Sequence, residues 1–196
     1  MKLDFSKKGK VIIDMKKYVS ELLDFSKKCA KDNKSKTPAS DWLFQVRDDS
    51  KKLDKERKEF FHTAVAKALF LCKRARPDIS TAVAFLSTRV TDPDEDDFKK
   101  LIRMLQYLNG TRDIVLTLSA DGTNILKWYV DASHAVHRDM KGHTGGLLTM
   151  GSGGIINKSV KQKLNSKSST ETELIGGDDI LPDCLWTGYF IKAQGY

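Results

Sequence analysis

From Phe61 to Leu108 the apolar residues return every three or four positions; from Ile114 onward they come in short runs broken by Gly, Ser and Asp. A chain cannot hold both periods in one kind of element, because helix side chains share a face at i, i+3 and i+4 and strand side chains at i, i+2. The switch near Asp113 therefore demands helices first and a sheet afterwards. The expected fold class is α/β, a mostly helical N-terminal half followed by an incomplete mixed sheet with a packed helix.

Within the first part, "KVIID" (10–14) reads as a strand, and Asp14 as the cap of a helix carrying Met15, Tyr18, Val19, Leu22 and Leu23 on one face. Residues 31–59 are polar and Lys-rich around a lone "WLFQV" (42–46), and read as an extended connection outside the core. "EFFHTAVAKALFLCKRA" (59–75) is amphipathic and ends at Arg76-Pro77. Asp78 is the expected cap of the next helix. Asp92-Pro93 is expected to open a third, with Pro at its first position, and Asn109-Gly110 to stop it. The "DEDD" run (94–97) invites a metal, but carboxylates in a first turn complement the helix dipole while facing water, and that reading is preferred.

Beyond the switch, "IVLTL" (114–118) and "ILKWYVDA" (125–132) read as a hairpin around "SADGT". "HTGGLLTM" (143–150) and "IINKSV" (155–160) read as two more strands joined by "GSGG", which lacks the Lys-Ser/Thr of a phosphate loop. A helix is expected from about Ser169 to Lys192, with Gly176, Gly177 and Pro182 weakening or kinking it. Ser168 with Glu171, or Thr170 with Glu173 a turn later, has capping-box spacing. The regions divide as 1–59, 60–112 and 113–196.

The chain has 34 basic and 26 acidic side chains, a net +8, and its first 59 residues hold 17 against 11. Such an excess suits a polyanion or a merely solvated surface. Cys29, Cys72 and Cys184 are too far apart for a disulfide framework, which points to a reducing interior, cytoplasmic or nuclear. No apolar run approaches the roughly 20 residues that span a bilayer, so no membrane partner is expected.

Two carboxylates draw attention. Asp131 closes "WYV", read as a buried strand, and is followed by small polar residues; Glu173 stands one turn into the last helix. A buried acid needs a counter-charge or a cation, and paired carboxylates holding two Mg²⁺ about 3.5–4 Å apart are the apparatus of phosphodiester hydrolysis. A turn-forming Asp and a capping Glu would look the same. His134, His137 and His143 hint at zinc, but without a cysteine nearby they read as a solvated turn. Of Trp128 and Tyr129, alternation makes one core and the other a surface residue.

"WYVDASHAVHRDMKGHTGG" followed by "KSSTETELIGG" resembles the ribonuclease H domain of copia-type retrotransposon polyproteins. "RARPDISTAVAFLS" and "MLQYLNGT" resemble the segment joining reverse transcriptase to that domain, and residues 1–25 the stretch after the polymerase palm. The resemblance implies that Asp131 and Glu173 are catalytic carboxylates ligating Mg²⁺, that Glu171 caps, and that Ser168, Ser169 and Thr170 meet the sugar-phosphate backbone of an RNA/DNA hybrid. It implies partners in nucleic acid and in the rest of a polyprotein. The third and fourth acids of such sites would follow the present helix, and Asp178, Asp179 and Asp183 cannot take their place by motif. The expectation is thus a piece of a reverse transcriptase/ribonuclease H with an incomplete two-metal site and little turnover. The competing readings are an inactive nucleic-acid-binding remnant and a decayed reading frame of marginal stability.

Overall fold

A computed structural model describes residues 1–27 and 33–195; Cys29 and the start of the expected connection at Lys31 lie outside them. The chain forms two compact units, Met1–Thr117 and Leu118–Tyr196.

The first unit opens with strands β1 (Lys2–Asp4) and β2 (Lys10–Asp14), paired antiparallel. Four helices follow: α1 (Lys16–Ser26), α2 (Lys55–Cys72), α3 (Ser80–Arg89) and α4 (Glu95–Gly110). Their apolar faces meet in one core, with Leu22, Phe61, Leu71, Leu86, Leu101 and Leu105 essentially inaccessible to water. Asp14 is not the cap expected of it: Met15, one position on, is the cap residue, while the Asp14 carboxylate accepts from the Lys16 N–H at 2.8 Å.

The Lys-rich connection is not outside the core. Leu43 is buried in it, with Ala39, Phe44, Val46 and Leu53 packed alongside, and α2 starts at Lys55 under an Asp54 cap. Burying one apolar cluster from a polar run anchors the whole segment, which composition alone does not reveal. Nor does Asp78 cap α3. A 3₁₀ turn, Pro77–Ile79, intervenes, and Asp78 instead receives Arg76 Nε at 3.0 Å, Arg76 Nη2 at 2.8 Å and Tyr107 Oη at 2.7 Å. Arg76 is buried, and its Nη1 and Nη2 also donate to the Thr111 carbonyl and hydroxyl.

The third helix begins after Pro93, not at it: Asp94 caps α4 in a reciprocal capping box with Asp97. Both acids are buried, contrary to the water-facing expectation, because Arg89 of α3 reaches Asp97 at 2.8 Å and Asp94 at 3.3 Å. Burial still pushes the Asp97 carboxyl up. Glu95 and Asp96 pair with Arg57 and Arg47.

The expected hairpin does not form. β3 (Leu116–Ala120) pairs with the two-residue β6 (Gly151–Ser152), whereas β4 (Lys127–Ser133) joins β5 (His143–Thr149) and β7 (Ile156–Lys161) in a sheet ordered β4-β5-β7, both pairings antiparallel. "GSGG" is a strand turn, as expected. A side chain at Gly151 would come within 2.4 Å of the Ser119 carbonyl, so the close pass of β3 needs glycine there. Among the described residues, no strand covers the outer edge of β4.

One long helix, α5 (Ser169–Ala193), covers one face of this sheet and runs unbroken through Pro182. Gly176 sits against Ala132, Ile180 against Gly146, and Trp128 Nε1 reaches Thr187 Oγ1 at 3.4 Å. As the helix advances its contacts retreat along β4, so the two run antiparallel. The outer side of α5 carries Leu174, Leu181, Leu185, Trp186, Tyr189 and Phe190, all exposed. No helix among the described residues is long and apolar enough to cross a membrane.

Candidate functional site

The antiparallel crossing brings the end of β4 to the first turns of α5. Ser168 caps that helix: its Oγ accepts from the Glu171 N–H at 3.2 Å, and the Glu171 carboxylate returns to the Lys167 N–H at 2.6 Å. The later Thr170–Glu173 box is therefore not the one used, and Glu173 is free of capping duty. Ser169 and Thr170 are exposed in the same turn.

Asp131 is third from the end of β4 and exposed, so the strand is not the buried one expected. Ala132 faces α5, and alternation puts Asp131 on the opposite face with Tyr129 and Ser133. Its cross-strand neighbour is Gly145, which carries no side chain to cover it. Glu173 is exposed, one turn before Gly176. The two acids thus stand at the same end of the unit, Asp131 on the face of β4 turned away from α5 and Glu173 in the first turns of α5. Both offer hard oxygen donors of the type Mg²⁺ takes. Among the described residues, no three His, Cys, Asp or Glu side chains gather closely enough to hold a metal.

A polar cluster pins this corner. His134 Nδ1 lies 2.8 Å from Thr172 Oγ1 and 3.1 Å from Ser166 Oγ. Gln162, buried at the end of β7, donates to Thr144 Oγ1 at 3.1 Å and to the Thr172 carbonyl at 3.0 Å. The end of β4, the end of β7 and the start of α5 are so tied through Thr172, the residue before Glu173. Sequence reading missed this role of His134, Gln162 and Thr172, since partners 38 and 10 residues apart leave no local spacing signal.

The three histidines do not gather as one cluster. His137 and His143 are buried, not in a solvated turn; His137 Nε2 is 3.1 Å from His143 Nδ1, and His143 Nε2 is 2.7 Å from Ser159 Oγ. Burial, aided by the neighbouring His137, pushes the His143 imidazole down to about 4. Asp179 accepts from Thr144 and Asp183 pairs with Lys158, so both serve the helix–sheet interface. Trp128 is half-buried and Tyr129 exposed, the division alternation required.

A helical unit followed by an antiparallel sheet with one covering helix is a mixed α/β arrangement, and two exposed acids stand at one end of its second part. Comparison with known sequences narrows the class. The chain is 32% identical over 125 residues to secreted RxLR effector protein 161 of Plasmopara viticola, covering 63% of this chain and 88% of that protein. It is 31% identical over 136 residues to the retrovirus-related Pol polyprotein from transposon TNT 1-94 of Nicotiana tabacum, covering 69% of this chain and 10% of the polyprotein. It is also 34% identical over 118 residues to a putative transposon Ty5-1 protein of Saccharomyces cerevisiae, 59% of this chain and 38% of that protein. No family model and no solved structure matches it. The chain is a homologue of copia-type retrotransposon Pol polyproteins, of which it spans only a small part.

Proposed function

We propose that this chain is the part of a retrotransposon polyprotein in which reverse transcriptase passes into ribonuclease H, and that Asp131 and Glu173 are two of the carboxylates with which the parent hydrolyses the RNA strand of RNA/DNA hybrids. The observation that carries the reading is the antiparallel crossing of α5 over β4 through Gly176 and Ala132, which sets both acids at one end of the second unit. Mg²⁺ held there would supply Lewis acidity to a phosphodiester. The chain's own residues supply oxygen donors, an open corner, and hydroxyls at Ser169 and Thr170 for a backbone that is read by shape. Two carboxylates are too few to hold two ions firmly, so the isolated chain should turn over hybrid poorly.

The test replaces Mg²⁺ with Fe²⁺ and maps where ascorbate-driven hydroxyl radicals cut the polypeptide. Cuts near 131 and 173 that vanish in Asp131→Asn and Glu173→Gln are expected; uniform cutting would refute the assignment. A parallel hybrid-cleavage assay with Mg²⁺ should give little product, and robust cleavage lost on Asp131→Asn would overturn the expected inactivity.

A second reading is a catalytically inactive nucleic-acid-binding remnant of a decayed retroelement. It is favoured by the basic N-terminal surplus. Salt-dependent hybrid binding indifferent to Mg²⁺ and to Glu173→Gln would select it.

A further inference from the structure

We propose that His134 is a ribose-sensing residue, its Nε2 accepting a hydrogen bond from a 2′-hydroxyl of the RNA strand; this deepens the ribonuclease H reading and rests on it. Thr172 is fully buried. Its hydroxyl has one proton, and the Ser168 carbonyl 3.0 Å away takes it, in the usual back-bond from a helical Thr to the residue four before it. The two acceptor positions left on Thr172 Oγ1 then face Ser166 Oγ and His134 Nδ1. Ser166 fills one by donating its proton. We assign the imidazole to the other, with the hydrogen on Nδ1, which also faces Ser166 Oγ at 3.1 Å.

In a neutral imidazole, a proton on Nδ1 leaves Nε2 as a bare acceptor. His134 is exposed and stands three residues beyond Asp131, with its ring fixed against the residue preceding Glu173. A fixed acceptor at this corner selects a ligand that brings a donor. The sugar-phosphate backbone of DNA has none, since its phosphates and ring oxygens only accept; the 2′-hydroxyl of ribose is the one donor that RNA adds. His134 thereby reads the chemical difference between the strand to be cut and the strand to be kept.

The test measures affinity of the full chain for an RNA/DNA hybrid and for the same hybrid carrying 2′-fluoro in place of 2′-hydroxyl, a change that keeps the sugar pucker but removes the donor. The wild-type chain should prefer the hydroxyl form, and His134→Phe should shrink that preference by about fivefold, the worth of one hydrogen bond. Unchanged preference in the variant overturns the role of His134 alone. A wild-type chain that binds hybrid no better than an all-DNA duplex overturns the ribonuclease H reading and this inference with it. Independently of any variant, ¹⁵N shifts of the His134 ring should report an unprotonated Nε2; the opposite tautomer overturns the inference.

Discussion

A methyl group added to Gly176 would stand 3.1 Å from the Cβ of Ala132, closer than carbon atoms ordinarily pack. This contact sets how near α5 approaches β4, and through it where Glu173 stands relative to Asp131. Gly176→Val should cost about 1–3 kcal/mol of stability through overpacking. Ala132→Gly in the same chain should recover part of that loss, a coupling that denaturant titration of the double-mutant cycle will read.

Arg76 is fully buried, and its guanidinium hydrogen-bonds to both Asp78 and Thr111. Arg76→Met should destabilise the first unit by about 3 kcal/mol, because it strands a carboxylate and a carbonyl that the guanidinium now satisfies. Arg76→Lys should recover little, since an ammonium cannot reproduce the planar fork. Shifted urea midpoints will check both.

Acid should loosen the second unit. His143 is neutral when folded and its imidazole is held down to about 4 by burial, whereas the unfolded chain binds that proton near 6.5. Between those values the unfolded state holds more protons, so stability is complete above about pH 6.5 and falls as pH drops toward 4. The loss is on the order of 2–3 kcal/mol. Substituting His143 with Gln should flatten that stretch of the profile, measured by thermal melts across pH.

Asp131→Asn and Glu173→Gln should leave stability within about 0.5 kcal/mol of wild type, since both side chains are exposed. A large loss from either would assign that acid a structural duty in place of a ligand's.

What could be read from sequence was local. The Ser168–Glu171 cap, the 3.6-residue faces of α2 and α4, and the opposite fates of Trp128 and Tyr129 all follow from spacings of a few residues. What was missed depends on partners brought from afar. Arg89 makes burial of Asp94 and Asp97 tolerable; Leu43 anchors a segment that composition marks as solvent; β3 leaves its neighbour β4 to pair with a strand thirty residues on. The site divides in the same way. Asp131 and Glu173 were singled out by chemistry and by resemblance, and the structure shows both exposed at one end of the second unit, but the clasp of His134 and Gln162 on Thr172 exists only once strand and helix have crossed.

The outward ridge of α5 bears on how the chain can be watched. Trp186 is 60% exposed there, stacked on Phe190 with ring centroids 5.5 Å apart. An indole surrounded by water emits toward the red, and any body that settles over Leu181, Leu185 and Tyr189 must dry it. The helix therefore carries a native optical gauge, needing no label, for the moment at which its greasy side finds company.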